Sequence, residues 1–406
     1  MVIGAGIYIL VGPATAHAGG LVWLSMLVAG ALCALTAFSY MELTAMFPKS
    51  GSEYEFARQV FPDWIAFATG WAMTMALVVA SAAVGLGFAR YLNVFLDVNE
   101  RLAALALIVA VGIIALTGMQ HAKWLVILLS AVQIGGLLLV IAIGFHHIGD
   151  VSLTTGHGFS GVLGGASVIF FAYIGFDEVI TLAEETRVPH KTIPRALLLA
   201  LIISTILYIG VSVVAVSVLG VDALAVSTQP LTDVMREAIG GTAVTIVALV
   251  ALATTANTTL LATTAASRMI YSMADSGPLP SRWGKVHDQH SPREAIIIVT
   301  ILAAALSLLG GLQSLASATN ALIYFMFLSV NLVVIILRYR QPEAHRPFRI
   351  AFTIKNFPIV PSAAIVAILS LSTQLELQPV LLALGFLASG IVVFNIGKAF
   401  PQFTAQ

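Results

Sequence analysis

Sparsely charged apolar stretches recur along this chain at about 7–18, 21–46, 64–95, 102–119, 124–145, 159–183, 195–219, 240–266, 295–311, 315–337, 358–373 and 379–397. A helix needs roughly 20 such residues to cross the hydrocarbon core of a bilayer. Strands of a membrane barrel would be about ten residues long with strict alternation. These runs are longer and continuously apolar, so they read as helices. Only 9% of the 406 residues are charged, whereas a soluble domain carries about 25%. The chain therefore reads as an all-α polytopic membrane protein with about 12 transmembrane helices in a lipid bilayer.

The basic residues set an orientation. Lys49 and Arg58 follow the second segment, Lys123 the fourth, and Arg187, Lys191 and Arg195 the sixth. Arg268, Arg282, Lys285 and Arg293 flank the end of the eighth, Arg338 through Lys355 follow the tenth, and Lys398 ends the twelfth. Only Arg90, Arg101 and Arg236 fall near the other side. The positive-inside rule then places the C-terminus in the cytoplasm of a multi-pass protein of the cell membrane. A formal charge of zero gives no pointer to nucleic acid, and none is expected as a partner. The lone Cys33 excludes an intramolecular disulfide and a cysteine metal cluster.

The chain opens "MVIGAGIYIL". A first segment from Ile7 to Ala18 spans roughly 18 Å, little more than half the hydrocarbon thickness. Gly4–Ala5–Gly6 reads as the hinge of a discontinuous helix, truncated at its cytoplasmic half, with that half expected upstream of Met1. Five segments later comes "VIFFAYIGFDEVITLAEETRVPHKTIPRAL", where Gly175 interrupts an apolar run that also holds Asp177 and Glu178. An ordinary glycine in a tilted helix is one reading. Paired breaks in corresponding helices of two inverted repeats are the other. A broken helix leaves amide N–H groups unpaired at one edge and carbonyls at the other. The first attract a carboxylate and the second an ammonium. A zwitterionic α-amino acid carries both, one carbon apart.

Four stretches together resemble the amino acid–polyamine–organocation (APC) transporter superfamily, near its bacterial and archaeal amino acid permeases. They are "IGAGIYILVGPATAHAG", "SYMELTAMFPKSGSEYEFARQVF", "FFAYIGFDEVITLAEETRVPHKTIPRA" and "ASRMIYSMADSGPLPSRWGKVH". The resemblance implies a five-plus-five inverted-repeat fold: helices 1–5 over 1–145, helices 6–10 over 159–338, and helices 11–12 outside the repeat over 358–397. It implies a central substrate site between helices one, three, six and eight. Gly4, Ala5, Gly6 and Ile7 would present backbone N–H groups to the substrate carboxylate. Phe170, Ala172 and Tyr173 would supply carbonyls to the amine and an aromatic cap, with Gly175 as hinge. Some relatives carry a lysine in helix five that is implicated in proton coupling. Here Gln133 stands at the matching position and cannot titrate.

Other polar residues admit two readings. Thr254, Thr255, Asn257, Thr258 and Thr259 either pack helices by bonding to backbone carbonyls or line the substrate or ion site. Gln133, Thr254 and Thr255 mark the candidate region for a coupling ion, H+ or Na+. Glu42, Glu53 and Glu55 read as cytoplasmic-loop ion pairs, with coupling groups the alternative, and Asp177 and Glu178 as contacts of Lys or Arg on the cytoplasmic side, with proton carriers the alternative. His146, His147 and His157 read as loop histidines, with no metal expected. No P-loop, zinc-protease helix or nucleophile elbow is present, so neither an enzyme nor a cofactor is expected. The leading reading is a secondary active amino acid transporter working by alternating access, as symporter or exchanger. A polyamine transporter is the alternative within transport. A non-transporting membrane sensor or assembly partner that kept the fold is the alternative outside it.

Overall fold

The computed structural model describes residues 2–47, 52–117, 123–182, 186, 188–276, 279–284 and 292–399. Lys49, Arg187 and Lys285, used above for orientation, lie outside them.

Each of the twelve apolar segments has its helix. In chain order the helices are Ala5–Ala18 (α1), Val22–Met46 (α2), Ser52–Arg58 (α3), Asp63–Leu92 (α4) and Glu100–Leu116 (α5). Then come Lys123–Gly144 (α6), Gly158–Ile169 (α7), Pro189–Leu219 (α8), Val221–Val226 (α9) and Pro230–Ala238 (α10). The last are Thr242–Ser276 (α11), Arg293–Leu309 (α12), Leu312–Arg340 (α13), Ile359–Ser372 (α14) and Leu377–Ala399 (α15). Among the described residues, eight runs are long and apolar enough to cross a membrane, one of them the α1–α2 pair over Ala5–Met46. The α5 and α12 helices, at 17 residues, and α14, at 14, are shorter.

Burial sorts these helices into an inner and an outer set. In α4, 94% of the apolar window is buried, against 17% in α15. The sequence of α4 explains this: it is dense in Ala, Gly, Ser and Thr, which let neighbouring backbones come close. It packs against α11 and α13, while α1 lies on α7 and α2 on α8. The outward faces of α5, α12 and α15 expose Ile113, Ile301 and Leu381. Such faces are costly in water and at home against lipid tails.

Three short helices fall in stretches that the apolar pattern leaves as loops: α3, α9 and α10. The α10 helix buries Leu231, Val234 and Met235 along one side, so it is held by packing rather than by length. Between α13 and α14, Thr353–Ile354 pairs antiparallel with Phe357–Pro358 in a small hairpin. The same end of the bundle holds a buried ion cluster. The Glu42 carboxylate of α2 accepts from Arg338 of α13 at 2.8 and 2.5 Å, and from Arg346 at 3.2 Å. It also takes the Ile350 N–H at 2.9 Å. Glu42 is thus an ion pair, as expected, but fully buried rather than loop-exposed. Glu55 pairs with Arg58 at 3.3 Å, and Glu53 accepts from the Tyr40 hydroxyl at 3.0 Å.

Candidate functional site: the start of α1 meeting the sixth-segment break

The sixth segment breaks where glycine and acids interrupt its apolar run, but its α-helix ends earlier than Gly175. After Ile169 the chain tightens into a 3-10 turn over Phe170–Tyr173 and becomes extended at Ile174. Gly175 then takes φ +100°, a conformation that an L side chain resists. A second 3-10 stretch runs over Asp177–Leu182. The Gly175 N–H donates to the Asp177 carboxylate at 3.2 Å, so the acid at this break serves its own backbone.

Tertiary contacts fix where the α-helix stops. Asn320 of α13 donates through Nδ2 to the Ser167 carbonyl at 2.7 Å, capping the last turn from outside. Phe170 packs against Tyr324 and Phe327 of α13, with centroids at 4.8 and 5.8 Å. The Tyr173 hydroxyl donates to the Met26 carbonyl of α2 at 2.8 Å. Side chains of this turn are therefore anchored sideways, and its backbone is presented to the centre.

The α1 helix begins at Ala5, behind an extended Gly4 that has no side-chain cap. One of its unpaired amides, Ala5 N–H, donates to Thr258 Oγ1 of α11 at 3.2 Å. Gly4, Ala5 and Ile7 are buried with it. Gly6 lies against the sixth-segment turn so closely that a methyl group there would overlap the Ala172 backbone. Hence Gly4 to Ile7 and the Phe170–Gly175 stretch are brought together at one point. Tyr208 of α8 joins them. Its hydroxyl lies 2.6 Å from the Val2 carbonyl and 3.0 Å from the Ala172 carbonyl.

The coupling-ion candidates lie one step away. The Tyr8 hydroxyl, one turn into α1, donates to the Gln133 backbone carbonyl of α6 at 3.1 Å, and Tyr91 of α4 donates to the Tyr8 carbonyl at 2.6 Å. Gln133 and Thr254 are buried; Thr254 lies beside the Tyr8 hydroxyl, while Gln133 Nε2 has no hydrogen-bond partner among the described residues. Asn257 Oδ1 is in the same condition. Thr255, Thr258 and Thr259 donate back to carbonyls of their own helix at 2.7, 2.9 and 2.9 Å. The threonine cluster thus divides: Thr255 and Thr259 satisfy α11 itself, while Thr258 and Thr254 face α1 at Ala5 and Tyr8.

Away from this centre, His147 lies 3.2 Å from Asp150, and His157 Nδ1 lies 2.8 Å from the His17 carbonyl. Sequence reasoning passed over Tyr208 and Asn320. The available signal was a polar tip inside an apolar run, which demands a buried partner.

A family model described as amino acid permease matches residues 1–396. A branched-chain amino acid permease of Bacillus subtilis is 28% identical, over 97% of this chain and 89% of that protein. A methylthioribose transporter of the same organism is 30% identical, over 89% of this chain and 82% of that protein. A vacuolar cationic amino acid transporter of Arabidopsis thaliana is 28% identical, over 84% of this chain and 61% of that protein. The fold and these likenesses define a multi-pass membrane transporter rather than an enzyme. The chain belongs to the amino acid permease family of the APC superfamily.

Proposed function

We propose that this protein is a secondary active transporter of α-amino acids, cycling by alternating access between inverted repeats at 1–145 and 159–338. It would sit in the cell membrane with its C-terminus in the cytoplasm. The observation that supports the reading is the meeting of the start of α1 with the sixth-segment break at Gly6 and Ala172. Amides at the start of α1 suit a carboxylate, and the Val2 and Ala172 carbonyls suit an ammonium. Among the three substrate classes named in the relatives, a neutral amino acid fits best. A cationic side chain or a polyamine calls for a free acid beside the site; α4 between Trp64 and Leu92 has none, and Asp177 at the sixth-segment break is engaged by the Gly175 N–H. A methylthioribose has no ammonium to use the carbonyls.

The test is uptake by proteoliposomes, with proton and sodium gradients imposed separately and amino acids and polyamines as competitors. The expected result is accumulation of a neutral amino acid under one gradient, with no competition from polyamine. A protein that binds amino acid yet never accumulates it under either gradient would be a sensor that kept the fold.

Gln133 bears on coupling. An unpaired buried amide costs about 1–3 kcal/mol, so Gln133→Leu should melt at or above the wild-type temperature. Uptake should nevertheless fall several-fold, because a polar group kept buried at that cost finds its partner at another step of the cycle. Glutamine does not titrate, so the pH dependence of uptake should persist. Loss of that dependence with uptake retained would put Gln133 in a proton path and refute this assignment.

A further inference from the structure

Tyr208 is fully buried, and its hydroxyl contacts the backbone just before α1 and the backbone of the sixth-segment turn. The Val2 carbonyl belongs to the chain before the start of α1, and the Ala172 carbonyl to the turn before Gly175. The Gly4 backbone lies beside the same hydroxyl. One O–H group has a single proton, and two carbonyls share it. Those carbonyls are the acceptors that the reading above gives to the substrate ammonium. An ammonium brings three N–H donors and a full charge.

We propose that the Tyr208 hydroxyl is a built-in stand-in for the substrate amine, holding the paired carbonyls when no ammonium is present and yielding at least one on binding. This inference rests on the amino acid reading of the site. Without Tyr208, the empty site would leave two carbonyls buried and unpaired where the start of α1 and the sixth-segment break touch. With it, the empty site is satisfied and closed, at the cost of a competitor for the incoming amine. The tyrosine ring is held independently, edge-on to Tyr173 with centroids 5.2 Å apart and planes at 75°. Phenylalanine can therefore keep the packing and lose only the donor.

The experiment compares wild type and Tyr208→Phe, purified and monodisperse, by calorimetric titration with a neutral α-amino acid and with its desamino carboxylic acid. Melting temperature is recorded with and without ligand. In the variant the amine has no competitor, so the amino acid should bind about threefold to tenfold tighter. The desamino acid should bind with unchanged affinity. The empty variant should melt a few degrees lower, and its ligand-induced shift should be larger. A merely structural tyrosine would lower the melting temperature without tightening the amino acid, and that outcome overturns the inference. Weaker amino acid binding in the variant would make Tyr208 a direct ligand of the amine and overturn it too. A wild type that binds no α-amino acid overturns the amino acid reading and this inference together, which the other two outcomes do not.

Discussion

Gly175→Leu should abolish amino acid binding while leaving a monodisperse, folded protein. Gly175 holds φ +100° between an extended Ile174 and a fully buried Phe176. A leucine there has two options. It can keep the left-handed backbone at about 1–3 kcal/mol of strain. Alternatively, the segment can rewind toward α-helix, for which leucine is a far better former than glycine. Rewinding would consume as intrahelical acceptors the carbonyls now presented at the Phe170–Tyr173 turn. Losing the charge-assisted hydrogen bond from the ammonium to the Ala172 carbonyl, at about 1.5–3 kcal/mol, costs about tenfold to a hundredfold in affinity, and shifting Ala172 off Gly6 dismantles the rest of the site. Gly175→Ala, strained but smaller, should fall between the two. The measurement is equilibrium binding alongside size-exclusion behaviour and melting temperature. Wild-type affinity in a well-behaved Gly175→Leu protein would mean that the break is no part of the substrate site.

What sequence could reveal here follows from which forces are local. The bilayer dictates long apolar runs, so the twelve segments could be read from composition along the chain, and each corresponds to a helix. The Gly175 break was legible because glycine and two acids inside an apolar run are a local anomaly. The true end of α7 at Ile169 was not, because it depends on Asn320 reaching the Ser167 carbonyl from α13. Nothing near Ile169 in the sequence encodes that contact. The same holds for Tyr208: an aromatic residue in an apolar helix looks like ordinary packing until the carbonyls opposite it are known. Gln133 and Thr254 stand out as polar residues among apolar ones, but only the structure shows Thr254 beside the Tyr8 hydroxyl and Gln133 Nε2 without a partner among the described residues. The helices α3, α9 and α10, at 7, 6 and 9 residues, are too short for periodicity to announce them.

Glu42→Gln should cost more stability than any other single charge change at this end of the bundle. The wild-type carboxylate is the common acceptor of Arg338, Arg346 and the Ile350 N–H. The Glu42 and Arg338 side chains are each only 2% exposed, and Arg346 only 5%. One negative charge therefore offsets two positive ones, and Arg338 Nη1 has no partner of its own among the described residues. Glutamine keeps the shape but strands the Arg338 guanidinium away from water, while Arg346 keeps the Leu337, Gln341 and Ala344 carbonyls. Breaking a buried ion pair from one side costs about 3–5 kcal/mol, mostly the penalty on the charge left behind. Removing a cation is gentler, since Arg346 remains to pair with Glu42, so Arg338→Met should cost less. Combining the two substitutions should cost less than their sum, because the stranded charge is removed together with its partner. Thermal unfolding of the four proteins in one lipid mixture completes the cycle. Additive losses would mean that the two residues act separately, and a Glu42→Gln protein melting like wild type would mean that water already reaches the cluster. If the coupling holds, α2, α13 and the chain through Ile350 form one unit at this end. Movement during transport must then occur around that unit and not within it, and the start of α1 and the sixth-segment break both lie outside it.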